Sequence, residues 1–159
     1  MTSSSALVLA FAIGIITGFR SMTGLAAVSW GIHLGWLRLG STGLGFLGHP
    51  VSVLILSLFA LGELVADKLP KTPSRKKAGP FILRVAVGAL TGSALAIGAA
   101  ASANAGALCG ALGAVAGTLG GYEARVRSVR ALAGPDYLVA LIEDVIAVGG
   151  ALFIVSRFA

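Results

Sequence analysis

The sequence predicts an all-α protein, a polytopic helical bundle embedded in a membrane. Two observations carry that prediction. Hydrophobic residues make up 57% of the 159-residue chain and charged residues only 11%, with a mean hydropathy of +0.96. Soluble domains carry about 25% charged residues, so this is the composition of a membrane protein. The second observation is order along the chain: apolar runs alternate with short polar stretches, and most basic residues fall in the latter. The length suits a single membrane domain, residues 1–159, of about five or six short spans. It leaves no room for a separate soluble catalytic domain.

Six apolar segments follow in order. The first runs from Ala6 to Phe19 and the second from Ser21 to Trp36, joined at Gly18-Phe19-Arg20. A spanning helix needs about 20 apolar residues, so both are short; they tilt, thin the bilayer, or form a re-entrant hairpin. One unbroken helix from Ala6 to Trp36 would rise about 46 Å, too long for a simple span, so a break is expected near Arg20. The third segment runs from Pro50 to Asp67, the fourth from Pro80 to Ala101, the fifth from Ala105 to Tyr122 and the sixth from Asp136 to Phe158. Met1 to Ser5 has no basic residue and no clear cleavage site follows, so the first segment reads as retained.

Basic residues set the expected orientation. Lys68, Lys71, Arg75, Lys76 and Lys77 lie between segments three and four, and Arg125, Arg127 and Arg130 between five and six. Both loops share a side, and the positive-inside bias makes that side cytoplasmic in a bacterial inner membrane. Arg20 and Arg84 join them, leaving only Arg38 and Arg157 opposite. With six crossings both termini face outward; with one crossing for the first two segments the N-terminus changes side. Trp30 and Trp36 then stand near the outer interface, Tyr122 and Tyr137 near the inner one. The net charge of +6 is explained by these loops, so no nucleic-acid partner is expected.

A repeat is visible. Leu9-Ala10-Phe11-Ala12-Ile13-Gly14-Ile15-Ile16-Thr17-Gly18 matches Leu83-Arg84-Val85-Ala86-Val87-Gly88-Ala89-Leu90-Thr91-Gly92 at an offset of 74. Glu63-Leu64-Val65 resembles Glu143-Asp144-Val145 at an offset of 80. Halves 1–70 and 80–159, joined by a basic cytoplasmic loop 68–79, would be two inverted three-segment repeats, a plan common in transporters. Glycines spaced by four recur: Gly14 and Gly18, Gly88 and Gly92, Gly106 and Gly110, and Gly113, Gly117 and Gly121. They read first as close-packing faces between helices, and secondarily as exposed backbone at a helix break. Such faces also leave a homo-oligomer open. No Walker pattern is present.

The acidic residues are the most informative. Four of the six acids, Glu63, Asp67, Glu143 and Asp144, sit at the end of segment three or inside segment six. A carboxylate deep in hydrocarbon costs roughly 3 kcal/mol, so it pairs, binds or titrates. Glu63 and Asp67 share a helical face, and Asp67 adjoins Lys68 at the boundary. Arg20 and Arg84 fall at overlapping depth and are the charge partners expected for Glu63 and Glu143. Four acids against two intramembrane arginines leave an excess, partly offset by Lys68. Glu63 and Glu143 are therefore the leading ligand or ion candidates, for a cation, a proton or a small solute, with Asp67 and Asp144 second. The alternative is structural: the charges only fix helix packing, with Asp67 and Asp144 solvated near helix ends.

Other chemistries have less support. Single Cys109 excludes an intrachain disulfide and any CxxC site. His33 and His49 are expected at the outer face with no third metal ligand. No Cys–His nucleophile pair is in reach, and no motif supports a Glu63–Glu143 acid dyad, so neither an enzyme nor a cofactor is expected.

These residues carry a family resemblance. Gly18-Phe19-Arg20, then Glu63-Leu64-Val65-Ala66-Asp67-Lys68-Leu69-Pro70, Arg84 with Gly88-Ala89-Leu90, and Leu141-Ile142-Glu143-Asp144-Val145-Ile146-Ala147 occur in this order. The set resembles a family of small bacterial polytopic membrane proteins catalogued as a domain of unknown function (four-one-two-six). The resemblance covers nearly the whole chain, and Ala66-Asp67-Lys68-Leu69-Pro70 is its most specific part. That family often has His, then Lys-Ala and Arg, where this chain has Gly121-Tyr122-Glu123-Ala124-Arg125, which weakens any role for that stretch. The resemblance implies a compact helical membrane fold and names no ligand.

Overall fold

The computed structural model describes residues 1–40, 42–66, 78–132 and 136–159; side chains at 126, 128–132 and 136–138 lie outside the description. Among the described residues there is no strand. The helices are α1 (Ser3–Phe19), α2 (Ser21–His33), α3 (Pro50–Ala66), α4 (Ala78–Gly98), α5 (Ala103–Leu132) and α6 (Asp136–Ser156), with a 3-10 stretch (Gly43–Gly48) before α3. The all-α reading therefore stands. Three helices have spans long and apolar enough to cross a membrane: Ala78–Gly98, Ala103–Arg125 and Val139–Ser156. Helices α1 and α3 are apolar but shorter.

Local chemistry sets the ends of these helices. Thr2 caps α1, its hydroxyl accepting the Ser5 N–H at 3.2 Å. Pro50 opens α3, where a missing N–H costs nothing. Helix α2 stops at His33, short of the expected Trp36, because Gly35 takes a left-handed φ of +77°. The Gly35 N–H then donates to the Ile32 carbonyl and the Trp36 N–H to the Gly31 carbonyl. The turn that follows is packed inward: Leu37, Leu39 and Leu47 are buried, and the Ser29 hydroxyl donates to the Leu47 carbonyl at 2.5 Å.

Helix α5 packs along both α1 and α4, which also pack on each other. Glycines make this approach possible. A Cβ on Gly110 would overlap the Gly88 carbonyl, and one on Gly92 the Gly106 carbonyl. Against α1, a Cβ on Gly14 would overlap Gly110, and one on Gly18 would meet the backbone at Ala114 and Gly117–Thr118. The repeated stretches thus share one role, since α1 and α4 both present their glycines to α5. The halves are otherwise unequal, with 13 residues in α2 against 30 in α5.

Contacts between helices fix their directions. Gly18 lies by Thr118 and Gly14 by Gly110, so α1 and α5 run parallel. Ser21 meets Glu63 and Trp30 meets Ser57, so α2 and α3 run antiparallel. Arg20 meets Asp144, Ile16 meets Gly150 and Gly31 meets Val155, so α6 runs against α1 and alongside α2. Helices α1 and α2 therefore form a hairpin with Arg20 at its tip. That tip lies inside the bundle. Asp144 is about 12 Å along α6 from Asp136, and Thr118 is followed by 14 further residues of α5 (118 to 132). The start of α1 at Ser3 and the end of α6 at Ser156 share the opposite end.

The outer surface is apolar. Leu54, Leu58 and Leu61 of α3, Leu108 and Leu112 of α5, and Val145 and Phe153 of α6 are all more than half exposed. So much apolar surface suits lipid contact rather than water. Helix α5 also continues beyond the expected Tyr122 to Leu132, so Arg125 and Arg127 are helical rather than in a loop.

Because backbone atoms cannot yield as flexible side chains do, Gly110→Ala should destabilise the bundle by about 1–3 kcal/mol or more. Gly149→Ala, where an added Cβ meets nothing within 4 Å, should be close to neutral. Thermal unfolding of both variants in the same detergent compares them; equal midpoints would refute the close-packing account.

Candidate functional site

A helix break in an apolar interior leaves donors at one end and acceptors at the other. At Arg20 the backbone is extended (φ −141°, ψ 98°), which separates α1 from α2. On the α1 side, the Ile16 carbonyl accepts the Arg20 N–H at 2.8 Å. The Gly18 carbonyl, at 3.3 Å, shares the Thr118 hydroxyl with the Ala114 carbonyl at 2.7 Å. On the α2 side, Glu63 reaches across from α3. Its Oε1 accepts the Ser21 N–H at 3.0 Å and the Ser21 hydroxyl at 2.8 Å, and its Oε2 accepts the Met22 N–H at 2.8 Å. Glu63 is thus an N-terminal cap supplied by another helix, and its charge opposes the positive end of the α2 dipole. The Arg20 guanidinium stands correspondingly near the negative end of α1.

Counter-charges complete the layer. Arg84, 5% exposed, brings Nη2 within 3.8 Å of Glu63 Oε1. Arg20 is fully buried and its Nη2 lies 2.6 Å from Asp144 Oδ1. Arg125 Nη1 lies 3.7 Å from Glu143 Oε2, both side chains less than a fifth exposed. Nearer the end of α5, Arg127 and Glu123 form an exposed i,i+4 pair at 3.8 Å. Four helices, α3 to α6, and Arg20 at the break between α1 and α2 contribute charge to this part of the bundle.

The expected convergence of Glu63, Glu143, Asp144, Arg20 and Arg84 is therefore present; Asp67 and Lys68 lie outside the described residues. The pairing differs from expectation in three ways. Arg20 joins Asp144, which was not its expected partner. Asp144 is buried at 7% exposure rather than solvated at a helix end. Glu143 is paired by Arg125, a partner that ending segment five at Tyr122 concealed. The expected excess of carboxylates is absent among the described residues, where Glu63, Asp144 and Glu143 each face an arginine. The signal for Arg125 was available: no glycine or proline interrupts the chain between Gly121 and Gly134, and Glu123 and Arg127 have helical spacing.

The histidines stand apart from this layer. His33 Nδ1 lies 2.9 Å from the Gly48 carbonyl oxygen, and His49 Nδ1 accepts the Val51 N–H at 3.3 Å. No group of three metal-ligating side chains occurs among the described residues.

One pair differs from the others in its surroundings. Arg125 and Glu143 line a cleft of about 150 Å³ between α5 and α6, walled by Phe19, Ala124, Ile142 and Ile146. Glu63 and Asp144 do not line it. The arrangement can hold α1 and α2 together at their tip; the cleft beside Arg125–Glu143 is walled almost wholly by carbon.

Among known proteins, the sequence model of one family, Domain of unknown function (DUF4126), matches residues 7–157. No curated protein and no solved structure matches.

Glu63→Gln should lower stability by about 3–5 kcal/mol, since it removes one partner of a buried pair and weakens the α2 cap. Denaturant unfolding of the purified protein reads this, and a loss below about 1 kcal/mol would mean the cap is dispensable. A double-mutant cycle on Arg20 and Asp144 should give a coupling clearly larger than one on Arg127 and Glu123, where about 0.2–1 kcal/mol is expected for an exposed pair. Equal couplings would contradict the assignment.

Proposed function

The chain belongs to the DUF4126 family, whose function is unknown, and from that premise we propose that it is a small transporter or channel-like protein of the bacterial cytoplasmic membrane. In this reading the basic ends of α4 and α5 face the cytoplasm and both termini face outward. The exchangeable site is the Arg125–Glu143 pair, where a cation or proton replaces the guanidinium as the partner of Glu143. Glu63, Arg84, Arg20 and Asp144 are positioning residues that hold the hairpin tip. No catalytic residue or cofactor belongs to this reading. The observation that supports it is the cleft: Arg125 and Glu143 line open space, while Glu63 is engaged by three donors and an arginine.

A second reading has its own support. The three hydrogen bonds on Glu63 and the buried Arg20–Asp144 contact are what a purely structural charge layer needs. The protein would then be an accessory membrane component without a permeant.

Reconstituted vesicles with a trapped pH dye and an imposed potential separate the two. The transport reading expects wild-type protein to pass protons or a monovalent cation, and Glu143→Gln to reduce that flux at least tenfold while unfolding within a few degrees of wild type. Wild-type flux no greater than that of empty vesicles across the common monovalent cations would leave the accessory reading standing.

A further inference from the structure

Helix α6 packs chiefly on α2 and α1 rather than on α5, and the gap left beside α5 is the cleft of about 150 Å³. Its apolar side is continuous with the outer face of the bundle. Ile142 and Ile146 both line it and are 56% and 54% exposed. Its charged side is Arg125, and two positions further along α5 stands Arg127, 81% exposed at its side chain. Helix α5 carries no charged residue from Ala103 to Tyr122, and Glu123, Arg125 and Arg127 are its first charges. The first charges after an apolar run mark the level where headgroups meet hydrocarbon, and Arg125 stands there on a slot that opens sideways. Basic pockets between helices at this level suit anionic headgroups.

We propose that this cleft binds an anionic glycerophospholipid of the inner leaflet. The phosphate lies on Arg125, Arg127 on another face of α5 adds positive potential nearby, and the first methylenes of one acyl chain lie against Ile142 and Ile146. The slot holds only the start of that chain, and the remainder runs over the exposed face of α6 at Val145 and Phe153. Complementary charge selects the headgroup. A zwitterionic lipid would bring its own cation to the arginines, and a free phosphate ion would leave the apolar walls unused. Two carboxylates oppose the headgroup. Glu123 is itself half exposed and its pair with Arg127 is screened by solvent. Glu143 lies 3.7 Å from the Arg125 guanidinium, so a phosphate arriving there competes with it. The bound lipid would then release Glu143 toward a cation or proton. That consequence rests on the transport reading; the binding itself does not.

The test uses the full chain in a neutral detergent. Its unfolding midpoint is measured with phosphatidylglycerol, with phosphatidylcholine of the same acyl chains, and with inorganic phosphate. Phosphatidylglycerol should raise the midpoint by about 5 °C, and the other two by no more than about 1 °C. Arg127→Gln, which touches no buried pair, should at least halve the rise. Ala124→Trp, at an exposed position on the cleft wall, should abolish it with little change in the unliganded midpoint. The proposal is overturned if phosphatidylcholine matches phosphatidylglycerol, if phosphate alone reproduces the rise, or if no lipid-specific rise occurs. It is equally overturned if neither variant reduces the rise. A lipid-specific rise with no ion flux in vesicles would defeat the transport reading alone.

Discussion

The carboxylate of Glu63 at the start of α2 is the contact on which this structure turns. Two short helices enter the bundle, reverse at a single extended residue and leave on the same side. In water the exposed amides and carbonyls of such a tip would be solvated at no great cost. Inside an apolar bundle each unsatisfied group costs several kcal/mol, so the reversal needs partners from the protein itself. Ser21 and Met22 find theirs in Glu63, and Gly18 finds one in Thr118. A charged acceptor across two backbone donors is stronger than a neutral one, and it also answers the helix dipole.

That solution propagates outward. A buried carboxylate requires a counter-charge, which Arg84 supplies; the buried arginine at the tip requires an anion, which Asp144 supplies. These side chains come from separate helices, and they meet only because the backbones approach closely. Gly14 and Gly18, facing Gly110 and Thr118, bring α1 against α5, and Gly88 and Gly92 bring α4 against both of them. The glycine faces and the charge layer are thus two parts of one device. Replacing the charges with apolar groups would remove a desolvation cost but would leave the hairpin tip unsatisfied. The Arg125–Glu143 pair adds a link between α5 and α6 beside the cleft.

Much of the architecture was legible in the sequence. Composition and segment spacing gave the all-α membrane class. The rise per residue demanded a break near Arg20, and the short first two segments admitted a hairpin. The depths of Glu63, Glu143, Arg20 and Arg84 were readable from distance to the polar boundaries. The pairing was not, because depth says nothing about azimuth: whether Arg20 faces Asp144 or its neighbour Glu143 depends on which side of α6 is turned inward. The capping role of Glu63 was also hidden, since a backbone donor leaves no mark on composition. Arg125 was missed for another reason, the habit of ending an apolar helix at its first charges. Leu37, Leu39 and Leu47 belong to the buried interior although they sit in a glycine-rich connection with no periodic pattern.

The most direct measurement is amide hydrogen exchange at Ser21 and Met22 in the full chain embedded in lipid nanodiscs, with and without Glu63→Ala. If a carboxylate from α3 closes the hairpin, both amides exchange as slowly as those in the middle of α2, and both become fast in the variant. Fast exchange in the unmodified protein, or slow exchange untouched by loss of the carboxylate, would contradict it.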